Sequence, residues 1–351
     1  MPSEFDKLVE EKKKTISDQI DDYRDTVYAI LGFCSLWFYD PIQRNNRNDV
    51  TIFQGRYLSP ITEPIVGNKN QAVVCPDFGI VIGEQRGILG EVKKNFPREE
   101  NDRRQRIYLQ LKSYDQELLG WPTTSGELPS HELVLLTHQA TARQAQAFFR
   151  ENAEKGLIRF VRPFSIFEFN RVDQREFYFF FRIVEGDLRQ TDNGKNLFNG
   201  VPVPMQALFK QYSESMLYDA EPPLAYLLVV IWQYVLTPVA AENPKFGRLR
   251  SSQKLEIDIT VDEMVQQLDI GFSFHRWHTE HNERQRQVPR IEWVQKACQF
   301  LVETKEASWV TENVELKVFF CKRKDVLAHF IELQASLEAN KTMRPMLLDS
   351  K

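Results

Sequence analysis

Asp77, Glu91, Lys93, Gln110 and Tyr114 are of the residue types, and at the spacings, that hydrolysis of a phosphate ester uses. Asp77 follows Pro76 and opens the apolar run Phe78 to Ile82; Glu91-Val92-Lys93 lies at the end of a second run that starts at Ile88. Gly83-Glu84-Gln85-Arg86-Gly87 between them reads as the turn of a hairpin. In a strand, Glu91 and Lys93 share one face and Val92 points to the other. Pairing the two strands sets the Asp77 carboxylate beside Glu91, and two hard oxygen ligands suit Mg2+ or Mn2+. The spacing then predicts a helix that Pro97 precedes and that runs to about Leu119, closed by Gly120 and Pro122. On it, Gln110 and Tyr114 fall on one face, which Arg103 and Arg106 extend toward the helix start. A divalent metal, a lysine and a basic, hydrogen-bonding helix are the parts that phosphodiester hydrolysis requires.

Singly, these signals discriminate poorly. Glu-x-Lys also occurs at Glu10, Glu11, Glu303 and Glu315, and Gln-xxx-Tyr at Gln19 and Tyr23, whereas Pro-Asp occurs once. The ordered series is the informative part: strand, five-residue turn, strand, helix. The bland alternative is a solvated Asp77 with an incidental Glu91/Lys93 surface pair. The apolar context Gly87-Ile88-Leu89-Gly90 weighs against it, because an unpaired charge there would be costly to bury.

At these residues the chain resembles the PD-(D/E)XK nuclease superfamily, and Gln110-xxx-Tyr114 makes it similar to the RecB-like branch. The resemblance covers residues 60 to 120. It implies a restriction-endonuclease-like mixed sheet flanked by helices. Asp77 and Glu91 would bind Mg2+ (or Mn2+) with the backbone carbonyl of Val92, and Lys93 would orient or activate the attacking water. Gln110 and Tyr114 would position the helix and the nucleic-acid backbone. The family usually adds an acidic residue from a helix before the first strand. Glu10 and Glu11 read as exposed helix charges; Glu63 is nearer the site and is kept as the further metal ligand, although Pro64 argues against a helix there.

The elements that position this set belong to a chain of 351 residues, 42% hydrophobic and 27% charged, which excludes disorder as the main state. With 45 Lys plus Arg against 49 Asp plus Glu, the net charge of −4 excludes global attraction to phosphate, so nucleic-acid binding has to come from local patches. A long amphipathic helix is predicted from Phe5 to about Tyr39, and strands and helices alternate through Val184, with Ile158 to Val161 as one strand. The Phe177 to Phe181 run reads as core strand packing or a partner interface rather than a base-stacking platform. The Gly- and Asp-containing stretch 185–200 marks a boundary, giving an α/β nuclease domain over residues 1–195 and a mainly α, winged-helix-like domain over 200–340.

In the second domain an apolar helix over 224–236 is too short to span a bilayer. The order that follows is strand, helix, helix and two-stranded wing, with Thr260-Val261-Asp262-Glu263 as a capping box. Basic residues cluster at Arg248, Arg250 and Lys254; at Arg284, Arg286 and Arg290; and at Lys322, Arg323 and Lys324. Arg284, Arg286 and Arg290 are the expected nucleic-acid contacts, Arg290 opening the recognition helix, against the alternatives of a solvated face or a protein contact. His275, His278 and His281 have no cysteine nearby and read as part of a basic loop rather than a zinc site. Four scattered cysteines and the lack of an apolar leader fit a reduced cytoplasmic protein without a membrane segment.

The expectation is therefore a Mg2+- or Mn2+-dependent nuclease acting on DNA rather than RNA. It resembles nucleases of restriction, anti-phage defence or DNA-mobility systems, with an ATPase or helicase as partner and a homodimer for duplex cleavage. A non-catalytic nucleic-acid-binding or scaffolding subunit, and the same chemistry on RNA, are the alternatives.

Overall fold

In a computed structural model, the residues described are 3–40, 45–46, 50–53, 57–58, 73–82, 86–98, 102–116, 118, 130–173, 177–186, 188, 197–204, 216–217, 220–250, 253–272 and 289–348. They form two compact units, one within Asp25–Ser213 and Phe274–Arg286, the other within Met1–Arg24, Glu214–Ser273 and Gln287–Lys351. The first helix, α1 (Glu4–Phe38), is divided between them. Its charged first part goes with the C-terminal unit, rather than with the sheet as the sequence suggests. From Thr26 onward it carries no charge and belongs to the sheet unit.

The sheet unit is α/β. Its elements are β1 (Val50–Phe53), β2 (Phe78–Ile82), β3 (Arg86–Lys93), α2 (Asp102–Tyr114), β4 (Ser130–His138), α3 (Gln139–Glu154), β5 (Phe164–Asp173), β6 (Phe177–Glu185) and β7 (Val201–Pro204). The seven strands lie in a mixed sheet in the order β7-β6-β5-β4-β3-β2-β1. The central β3, β4 and β5 are parallel and the remaining pairs antiparallel. Each parallel connection is a helical crossover, through α2 and then α3, as parallel pairing demands.

Alternation along the strands sorts the two faces. On one, the uncharged part of α1 packs Phe33 against Phe78, Phe167 and Phe181. On the other, Leu89, Leu133, Leu135 and Ile166 pack with Ile107, Leu111 and Tyr114 of α2 and Ala145, Phe148 and Phe149 of α3. Phe179 and Phe181 are fully buried, in keeping with the core reading of the aromatic run.

Two expectations are corrected. Helix α2 stops at Tyr114, not Leu119. The next residue, Asp115, turns its carboxylate to the backbone N–H groups of Val161 (2.9 and 2.8 Å) and Arg162 (2.7 Å) instead of continuing the helix. Residues 158–161 form no strand. Ile158 and Phe160 anchor a loop whose amides go to that carboxylate rather than to a neighbouring strand.

In the C-terminal unit, the apolar segment continues past residue 236 and forms α4 (Leu224–Ala241), with a π-helical turn over Ile231–Leu236. The Thr237 backbone N–H donates to the Trp232 carbonyl five residues back, and the Thr237 hydroxyl donates to the same carbonyl at 2.8 Å, just before Pro238, which has no N–H to give. By length and composition alone α4 could cross a membrane, but most of its residues are buried inside the unit. After it come β8 (Leu255–Thr260), α5 (Val261–Phe272), α6 (Ile291–Glu303), β9 (Ala307–Thr311), β10 (Glu315–Phe320) and α7 (Val326–Leu348). The strands form an antiparallel sheet in the order β8-β10-β9. The capping box forms: Glu263 N–H donates to Thr260 Oγ1 (3.1 Å) and Thr260 N–H to Glu263 Oε2 (2.8 Å).

Gly90, paired with Phe78 across β2 and β3, shows how tightly the α1 face is filled. A Cβ at this position would lie 1.8 Å from the Phe78 ring. Gly90→Ala is therefore expected to lower stability by about 1–3 kcal/mol in urea denaturation. An unchanged midpoint would contradict the packing described for this face.

Candidate active site

Asp77, Glu91, Lys93, Gln110 and Tyr114 converge on one face of the sheet, beneath α2. Glu91 is the centre, only 1% exposed. Its Oε1 accepts from Lys93 Nζ (2.5 Å) and Gln110 Nε2 (2.6 Å), and its Oε2 from the Tyr114 hydroxyl (2.8 Å). Gln110 Nε2 also lies 3.2 Å from the Tyr114 oxygen, which in turn is 3.2 Å from the Cys75 carbonyl. The i, i+4 spacing on α2 thus delivers two donors to one carboxylate. Asp77 precedes β2, and its Oδ2 accepts from the Val92 N–H at 2.7 Å, extending the β2–β3 pairing beyond Phe78 and Gly90. The N–H and C=O of a strand residue leave on the same edge, so the Val92 carbonyl faces the Asp77 side.

The end of α2 is fixed in place by groups outside the predicted set. His131, at the start of β4, is 2% exposed, and its Nε2 lies 2.7 Å from the Tyr114 carbonyl. Burial, with the nearby Arg162 charge, pushes its imidazole down to about 4, so at neutral pH it is uncharged and donates to that carbonyl. Lys112 and the backbone of residues 161–162 hold Asp115 next to it.

Electrostatically the site sets two carboxylates close to one ammonium. Burial raises the Glu91 carboxyl from its ordinary 4.5 to about 8, and the Asp77 charge pushes the same way against Lys93. Burial pulls the Lys93 ammonium down, but Glu91 and Asp77 together hold it above its usual value, so it is charged at neutral pH. Burial raises the Tyr114 phenol well above its ordinary range, and both carboxylates add to this. It stays a donor. Two carboxylates that raise each other's cost, with the Val92 carbonyl alongside, suit a hard divalent cation. Glu91 Oε1 already takes two donors, leaving Oε2 as its better-placed ligand atom. Among the described residues no group of three His, Cys, Asp or Glu side chains could hold a metal, so the carbonyl and water would complete the shell.

The other expected residues fare differently. Arg103 and Arg106 are exposed on α2, in the stripe that continues through Gln110 to Tyr114. Glu63, Arg284 and Arg286 lie outside the described residues, as do His275, His278 and His281. Glu10 and Glu11 are exposed, and Glu10 pairs with Lys13 at 2.9 Å. Arg290 precedes α6 as its N-cap and stacks over Trp293, 5.3 Å from the ring centroid. Arg323 is drawn inward to Glu306 (2.8 Å), and Lys322 sits over Phe246 (4.2 Å). The tip of the β9–β10 hairpin exposes Val310 and Val314 around Glu312.

The sequence reading missed Asp25. It is the one acidic residue in the part of α1 that belongs to the sheet unit, and it binds Lys94 (3.1 Å) and Arg171 (2.8 Å). Its signal was its place as the last charge before the uncharged run 26–38. Comparison with protein-family models, curated proteins and solved structures finds no match to the chain.

The raised Glu91 carboxyl has a pH consequence. The folded chain keeps this proton to a higher pH than the unfolded chain, so the stability linked to Glu91 is fully present below about 4.5 and is lost as pH rises through about 8. In EDTA, the urea midpoint of Glu91→Gln is expected to fall less than that of wild type between these limits. Parallel curves would contradict the assignment.

Proposed function

We propose that the sheet unit is a divalent-metal-dependent phosphodiesterase acting on nucleic acid, with DNA as the preferred substrate, built as a PD-(D/E)XK nuclease. The observation that carries this reading is the convergence of Asp77, Glu91, Lys93, Gln110 and Tyr114 around one buried carboxylate. A structural salt bridge would need Lys93 and Glu91 but not the Asp77 carboxylate, whose charge pushes the Glu91 carboxyl up.

In this reading Asp77, Glu91 and the Val92 carbonyl hold Mg2+ or Mn2+, which when bound supplies Lewis acidity and a water of lowered pKa. The protein's own groups do the rest. Lys93, charged and held by Glu91, orients the attacking water and offsets charge that develops on the phosphate oxygens. Gln110 and Tyr114 keep Glu91 aimed, and their own positions are set by α2, which His131 and Asp115 anchor at its end. The Arg103–Arg106 stripe meets the nucleic-acid backbone as it approaches.

For the C-terminal unit the proposal is a winged-helix-like module, supported by its helix, strand, helix, helix and hairpin order. Protein contact is favoured over DNA reading there. Exposed valines beside Glu312 at the hairpin tip suit a partner's apolar surface better than phosphate.

The test is cleavage of single- and double-stranded DNA and RNA with Mg2+, Mn2+ or EDTA. Wild type is expected to cut only with metal, Lys93→Ala to be slower by about 10²–10³-fold, and Asp77→Ala to be inactive. Equal cutting by wild type and both variants would contradict the catalytic assignment; binding without cutting would favour a scaffolding role.

A further inference from the structure

Two basic clusters of the sequence meet in the C-terminal unit, at the end of the β8-β10-β9 sheet away from the β9–β10 hairpin tip. There Leu255, which opens β8, pairs with Phe320, which closes β10. The chain before β8 carries Lys245, Arg248, Arg250 and Lys254, with no acidic residue from 243 to 255, and the chain after β10 carries Lys322, Arg323 and Lys324. Phe246 joins the two: its ring lies 6.2 Å from that of Phe320, and Lys322 Nζ lies 4.2 Å from its centroid. The loop takes its shape from its own backbone. Lys245 N–H donates to Asn243 Oδ1 (3.0 Å), Phe246 N–H to the Asn243 carbonyl (2.8 Å), and Arg248 and Leu249 N–H to the Lys245 and Phe246 carbonyls (3.1 Å each).

Some of these cations have partners. Arg323 pairs with Glu306, which also feels the Lys254 charge, and Lys317 pairs with Glu256 at 3.2 Å. Lys245, Arg248, Arg250 and Lys324 are exposed and form no ion pair among the described residues. Lys322 is half-buried over a ring that carries no net charge to cancel its own. Against these five cations stand Glu242, just before the loop, and Asp325, whose Oδ1 accepts from the Ala328 N–H at 2.8 Å, so three positive charges remain. In a chain of net −4, such a one-signed cluster carries a self-repulsion that a bound anion relieves. Basic faces that lie on lipid also insert apolar side chains, and neither segment holds an exposed large hydrophobic residue among those described. Arginine forks and lysines on a shaped loop suit phosphate oxygens.

We infer that Lys245, Arg248, Arg250, Lys322 and Lys324 form a phosphate-contact site for a polynucleotide backbone on the C-terminal unit. The choice of a polynucleotide among polyanions rests on the reading of the chain as acting on nucleic acid. Phosphate contacts carry no base sequence, and DNA and RNA share the chemistry. The site therefore holds a strand without reading it, and leaves the hairpin tip at the other end of the sheet to a protein partner.

The test uses the full chain in EDTA, so that nothing is cut, with a fluorescein-labelled DNA duplex and the corresponding single strands of DNA and RNA across a KCl series. Vesicles of phosphatidylserine and phosphatidylcholine supply the competing anionic surface. The slope of log affinity against log salt counts phosphate contacts, at about 0.9 for each in duplex DNA. Lys245→Gln/Arg248→Gln/Arg250→Gln is expected to keep the urea midpoint and to reduce the duplex slope by about 2–3. The charge-preserving Lys245→Arg/Arg248→Lys/Arg250→Lys is expected to keep the wild-type slope, as is Lys7→Gln/Lys14→Gln/Lys155→Gln, which removes the same charge from exposed positions elsewhere. Wild-type slopes in the folded loop variant would overturn the inference, as would an equal loss in the variant with distant substitutions. So would a wild type that binds none of the three polynucleotides, or that binds the vesicles more tightly. Cleavage by wild type in Mg2+ or Mn2+ with an unchanged slope in the loop variant would remove this site and leave the nuclease reading. A reduced slope without cleavage would do the reverse.

Discussion

The structure of the sheet unit depends on keeping one carboxylate, Glu91, out of water. A charge removed from solvent has to be compensated by hydrogen bonds and opposite charge, or else neutralised. Three donors converge on it, and each makes a demand on the fold. Lys93 requires the two-residue period of β3. Gln110 and Tyr114 require the helical period of α2, and α2 must end where His131 and Asp115 hold it. Gly90 lets β3 lie close over Phe78, so that the strand carrying Glu91 keeps its register.

Asp77 brings a second carboxylate to the site, and its charge works against that compensation. In a protein built only for stability, its place would be better filled by an apolar or neutral residue. Its anchoring by the Val92 amide shows that it is held in position rather than tolerated. Along the sheet edge Asp25 holds two cations, Lys94 and Arg171, one on each carboxylate oxygen.

Much of this was legible in the sequence because it depends on local periods. The Glu91/Lys93 pair follows from strand alternation, Gln110/Tyr114 from helix spacing, and the Thr260/Glu263 box from the geometry of a helix start. What could not be read depended on distant partners. The stop of α2 at Tyr114 is decided by a carboxylate meeting amides 46 and 47 residues away. Ile158 to Val161 has the apolar composition of a strand but no strand beside it. Asp25 is an ordinary helix acid until the crossovers bring Lys94 and Arg171 to it. The partners of Arg323 and Lys322 in the second unit, Glu306 and the Phe246 ring, likewise come from distant parts of the chain.

The central claim is that Asp77 and Glu91 stand ready for a divalent cation, and calorimetric titration of the full chain with Mn2+ tests it most directly. The account expects one saturable site in wild type that is lost in Asp77→Ala, with both proteins folded. No Mn2+ uptake by wild type, or equal uptake by Asp77→Ala, would contradict it.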